Sequence, residues 1–195
     1  MYPYTLCPFE LFTEILQTNR LRAKASEAAM SLCDVDSGLM LAGHDLLRRI
    51  GSFSPKEWAQ SSDSHAEWLM VGTVYKSAVS LYATLSLGSL GVLPPTVALH
   101  NSQTAHEDTL FCELRAALKV PRIAKFMVWS LVVAGVCAKE RGEATRNWIE
   151  VSLGDISRVL GTSCPIKACA VLKRYWASDV SGWDQCFDRP YVLVV

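Results

Sequence analysis

FMVWSLVVAGVCAKERG, residues 126–142, holds no charged residue between Phe126 and Ala138 and then stops abruptly at Lys139-Glu140-Arg141. A helix that crosses a bilayer needs about 20 apolar residues, so this run is too short to be a span. It is also apolar on every side, which a surface helix is not, because a surface helix keeps one polar face in water. The stretch is therefore expected to be a buried helix, at about 124–138, with neighbours on most sides.

Outward from it, the chain reads as helices. From His65 to about Leu90, Trp68, Val71, Tyr75, Ala78, Tyr82 and Leu85 recur at steps of three and four, the stripe of a long helix. GSLGVLPPT, residues 88–96, breaks it with glycines and prolines. In SPKEW, Ser54 can cap a helix start, Pro55 takes the first position and Glu57 stands three residues after the cap. Further amphipathic patterns occupy 7–25, 39–51, 104–119, 142–161 and 164–178, with Gly161 as a stop signal. Period-two strand patterning is absent. The expectation is an all-α fold, about seven helices in one domain over 1–195.

Composition narrows the function classes. Half of the 195 residues are hydrophobic and 19% are charged, so a large core is available. Nineteen basic and nineteen acidic side chains cancel, without the basic excess that phosphate binding demands, so direct nucleic-acid contact is not expected. Seven scattered cysteines, with no CxxC, read as reduced intracellular thiols in the cytoplasm or nucleus. His44, His65, His100 and His106 lack metal-ligand spacing, and no phosphate-binding loop, dinucleotide fingerprint or nucleophile elbow occurs. No metal and no cofactor are expected.

What remains is aromatic content in an apolar helical body. Tyr75 and Tyr82 lie two turns apart on the Trp68 stripe, Trp129 sits in the buried run, and Trp176 lies near the end of the last long helix. Buried tyrosine and tryptophan usually find a partner for O–H or N–H. Such rings can be plain core, or they can line an apolar pocket with a few directed donors, the usual make-up of a small-molecule site.

PFELFTEILQTNRLR (8–22), FSPKEWA (53–59), EWLMVGTVYKSAVSLYATLSLGSLGVLPP (67–95), FMVWSLVVAGV (126–136) and RYWASDVSGWDQCFDRPYV (174–192) add up, in this order, to a resemblance. They resemble the C-terminal part of the regulatory domain of Zn(II)2Cys6 fungal-specific transcription factors. The resemblance implies an all-helical domain, a regulatory role in nutrient use or secondary metabolism, and in some members a response to a small molecule. It brings no catalytic residue. The family's zinc cluster needs six closely spaced cysteines in a basic segment, and Cys7, Cys33, Cys112, Cys137, Cys164, Cys169 and Cys186 do not provide it. The expectation is thus the second half of a regulatory domain without its DNA-binding module.

Two functions fit that expectation. One is a small-molecule protein of fungal secondary metabolism, in its sharpest form a cofactor-free cyclase of Diels–Alder type acting on a hydrophobic metabolite. It would use Tyr75, Tyr82 and His106 as catalytic donors and Trp68, Trp129 and Trp176 as ligand walls. Restricting a substrate to a near-attack shape can supply roughly 7–11 kcal/mol of a barrier. A homodimer fits this first reading. The other is a non-DNA-binding co-regulator or dominant-negative partner, acting by pairing with a full-length transcription-factor relative. That reading calls for an exposed apolar patch as its interface.

Overall fold

Ten α-helices and one 3-10 turn build the described part of the computed structural model, residues 7–30, 37–60 and 64–187, and no strand occurs among those residues. The helices are α1 (Phe9–Met30), α2 (Ser37–Ser52), α3 (Pro55–Ala59), α4 (His65–Gly88), α5 (Val97–Ala117), α6 (Pro121–Ala124), α7 (Val128–Cys137), α8 (Glu143–Leu160), α9 (Cys164–Trp176) and α10 (Trp183–Cys186). The all-α expectation holds. The count exceeds seven because α3, α6 and α10 are single turns or little more, too short to show a period. Cys33 and the end of the last quoted block, 188–192, lie outside the described residues.

Two helices share the centre. In α7 every residue except Trp129 is buried, as its composition requires. It is shorter than 124–138, because the chain turns twice before entering it: the Phe126 and Met127 amides donate back only three residues, to Ile123 and Ala124, before the regular bond from Leu131 N–H to Met127 O at 2.8 Å. The longer axis is α4. From Val71 to Leu87 almost every residue is buried, and α1, α2, α3, α5, α7 and α10 all pack on it. Small residues on α4 (Ala78, Ser80 and Ala83 among them) let neighbours approach from several sides. One continuous apolar core runs from Leu11 and Leu46 through Leu81, Leu114 and Leu131 to Leu153 and Leu172. Each such leucine contributes about 1.5–3 kcal/mol by leaving water.

Local chemistry sets the ends. Ser54 Oγ accepts from the Glu57 amide at 3.3 Å, the cap that its sequence pattern predicts. Thr96 Oγ1 does the same for Leu99 at 3.1 Å, so α5 starts well before residue 104. Gly161 closes α8 in the left-handed region at φ 65°.

Lys139 ends the apolar run by reaching across to α9. Its ammonium donates to the carbonyls of Tyr175 at 2.9 Å, Ser178 at 2.7 Å and Val180, and lies 4.2 Å from the Tyr175 ring centroid. A cation gathering carbonyls at a helix C-terminus satisfies acceptors that the helix itself leaves open. Arg141 in turn binds Glu107 at 3.2 Å and Asp108 at 2.6 Å on α5.

Candidate functional site

The tyrosines and Trp129 singled out in the sequence do meet. Tyr75 and Tyr82 project from one side of α4 onto Trp129, the partly exposed residue of α7. Tyr75 stacks on the indole at 6.1 Å and 8°, and Tyr82 meets it edge-on at 6.0 Å and 77°. Tyr82 also contacts Trp183 of α10 at 4.7 Å, and Trp183 contacts Phe187 at 4.7 Å. The result is a continuous row of five rings joining α4, α7 and α10. Its members fill one another's faces, in the offset and edge-to-face geometries that ring quadrupoles favour.

Both hydroxyls are engaged. Tyr75 donates to the Phe126 carbonyl at 3.0 Å, in the double turn ahead of α7, and Tyr82 donates to Asn19 Oδ1 on α1. Burial pushes the Tyr75 phenol well above its ordinary value, with the nearby Cys7 thiol adding to the shift. Burial likewise raises Tyr82, with Arg22 pulling the other way. Neither ring is poised to give up its proton near neutral pH; each can only act as a neutral donor.

The other candidates lie apart from this row. Trp68 packs edge-on against Trp58 at 5.3 Å, under α3. Trp176 donates its indole N–H to the Gly135 carbonyl at 2.8 Å, at the α7–α9 contact. His106 is half-buried on α5, where burial first and the Lys76 ammonium second lower its pKa, so it is neutral at pH 7. Among the described residues no His, Cys, Asp or Glu group is arranged to hold a metal ion. No helix among them is long and apolar enough to cross a membrane. The six described cysteines are free thiols, and burial drives Cys7 up to about 12.

Sequence reasoning missed the polar group that closes the ring row. Arg22 of α1 pairs with Asp184 of α10 and donates to the Ser86 carbonyl at 3.0 Å, while Ser89 Oγ donates to the other Asp184 oxygen at 2.8 Å. Asn19 and Arg22 stand three residues apart, on one face of α1, and that spacing was the available signal.

The side of α1 turned away from the core is partly open. Leu11, Thr18 and Ala25, seven residues apart, face the core. Phe9, Phe12 and Leu16 stand at i, i+3 and i+7 on another side with 78%, 41% and 42% of their surface exposed. Three large apolar side chains at helical spacing make the kind of patch that marks an interaction surface.

The described residues thus form an all-helical body in which both tyrosine hydroxyls of the ring row are engaged. The chain is 40% identical over 190 residues to the phomenoic acid biosynthesis cluster-specific transcriptional regulator of Leptosphaeria maculans, an alignment covering 97% of this chain and 36% of that protein. It thus resembles part of a fungal cluster-specific transcriptional regulator, and spans about a third of that relative's length. No family model matches the chain, and no solved structure matches it.

Proposed function

We propose that the chain is a regulatory helical module of a fungal secondary-metabolite gene cluster, one that makes no DNA contact of its own and acts by pairing with a full-length transcription-factor relative. The observation that carries this reading is the 40% identity to a cluster-specific regulator across nearly the whole chain. The partly open α1 face supports it, since Phe9, Phe12 and Leu16 offer a helix-sized apolar stripe to a partner. A balanced charge of nineteen against nineteen fits a protein that works through other proteins and not through phosphates. In this reading the protein works in the nucleus, or in the cytoplasm before import.

A cofactor-free cyclisation at Tyr75, Tyr82 and His106 is the finer alternative. It would require the two phenols to leave Phe126 and Asn19 for a substrate carbonyl, and Trp129 to part from both rings. Trp68 and Trp176 would then serve other surfaces, because they stand away from the row.

Deletion of the gene, with transcripts of neighbouring genes and the metabolite profile recorded together, tests the proposal. A collapse or surge of the neighbouring transcripts supports regulation. Unchanged transcripts with one accumulated precursor overturn it and point to the cyclase. In parallel, Phe12→Glu with Leu16→Glu should abolish co-purification with the full-length regulator and leave the helical circular dichroism intact.

A further inference from the structure

We propose a second docking site, remote from α1 and independent of the function above, that takes an acidic amphipathic helix. A recess of about 230 Å³ opens between the α5–α6 corner and α8, with apolar walls from Leu118, Pro121, Ala124, Ile156 and Val159. The volume lies below the roughly 300–1,000 Å³ of sites for drug-sized ligands, and suits one bulky side chain. Val159 on its rim is 76% exposed, although valine gains nothing from water there.

Charge names the occupant. From Leu114 to Ala138 the chain has no Asp or Glu but carries Arg115, Lys119, Arg122 and Lys125, of which Arg122 is paired with Glu67 and Arg115 lies over the Trp148 ring. Lys125 lines the recess itself, and among the described residues neither it nor Lys119 forms an ion pair. On the α8 wall Asp155 is already neutralised by Arg158. The rim is therefore basic on one side and neutral on the other. Its cations are spread along a turn of chain instead of converging on one point, as they would for a small anion. A helix that inserts one apolar anchor and lays a row of carboxylates along Lys119 and Lys125 matches both features. Ser152 also lines the recess.

The probe is a fluorescein-labelled synthetic helix with leucine at i, i+4 and i+7 and glutamate on its other faces, titrated into the full chain by anisotropy. Saturable binding is expected, weakening severalfold as salt rises, because exposed pairs are screened over about 10 Å at 0.1 M. Val159→Lys, and Lys119→Glu with Lys125→Glu, should each weaken it about tenfold, or about 1.4 kcal/mol. All these side chains are at the surface, and unchanged circular dichroism melts confirm the fold. The same helix with lysine for glutamate should not bind. Equal affinity for the two helices, unaltered affinity in both variants, or no binding at millimolar protein overturns the site. Octanoate shifting the amide resonances of Ala124 and Ile156, where the helix shifts none, would reassign the recess to a small carboxylate and overturn it too.

Discussion

Replacing Gly135 by alanine is the sharpest test of how α7 meets α9. A methyl group there would lie 2.4 Å from Leu172 Cδ1, 2.9 Å from Cδ2 and 3.2 Å from Cγ. Leu172 is fully buried, so a rotation that carries its methyls away from the new group presses them into packed neighbours. Overpacking of a tight core costs about 1–3 kcal/mol, whereas alanine in place of a mid-helix glycine returns about 0.5–1. At the centres of those ranges the net expectation is a loss of about 1 kcal/mol, or roughly 2–4 °C in Tm for a domain of this size. Gly154, within α8, provides the internal control: a methyl there meets nothing within 4 Å, so the same change should stabilise by about 0.5–1 kcal/mol. Urea denaturation of both variants, read by far-UV circular dichroism, decides it by sign. Leu172→Val added to Gly135→Ala should restore part of the loss, because trimming the leucine makes the room. A Gly135→Ala protein as stable as the parent would refute the close α7–α9 approach, and with it the placement of Trp176 on the Gly135 carbonyl.

Three further outcomes are expected. Lys139→Met should cost about 2 kcal/mol in urea unfolding by stranding the carbonyls at the end of α9, and Lys139→Arg should recover only part, since a planar fork does not converge on them as an ammonium does. Tyr75→Phe should cost about 1 kcal/mol through the lost bond to Phe126, with transcription of the cluster unaffected; a variant that folds normally yet blocks formation of a cluster product would favour the cyclase. His106 is held below its ordinary value of 6.5, so its neutral form is the one the fold prefers. Its contribution is complete above pH 6.5 and fades as pH falls from there through the lowered folded value. His106→Gln should therefore flatten the drop in the urea midpoint between pH 7.5 and 5, and an unchanged drop would remove the residue from the account.

Much of this fold is legible in the sequence, for reasons that differ by element. The Trp68–Leu85 stripe and the run after Phe126 announce buried helices because burial imposes their composition, and Ser54 and Gly161 mark ends because backbone chemistry does. The start of α5 was not legible: residues 97–103, VALHNSQ, lack an apolar period, and what holds them is the Thr96 cap together with Leu99, which packs on the cluster of Ala25, Leu87, Val92 and Leu93. The ring row was half legible. Spacing puts Tyr75 and Tyr82 on one side of α4, but it also puts Trp68 there, and nothing local says that Trp68 turns to α3. Trp183 escaped because α10 is one turn long. Asp184 escaped because its partners, Arg22 and Ser89, are brought to it only by the tertiary fold.

The Arg22–Asp184 pair spans 162 residues of sequence. During synthesis at about 5–20 residues per second, α1 emerges roughly 8–32 s before the residue that locks it exists. Through that interval α1 can pack on α2 and α4, which follow it closely in the chain, but it lacks its tie to α10, while Phe9, Phe12 and Leu16 stay open to a groove. A ribosome-bound helper or an already finished regulator would meet α1 at its most receptive moment. Under the proposed pairing, the order of translation gives this chain its first opportunity to find a companion before it has finished folding on itself.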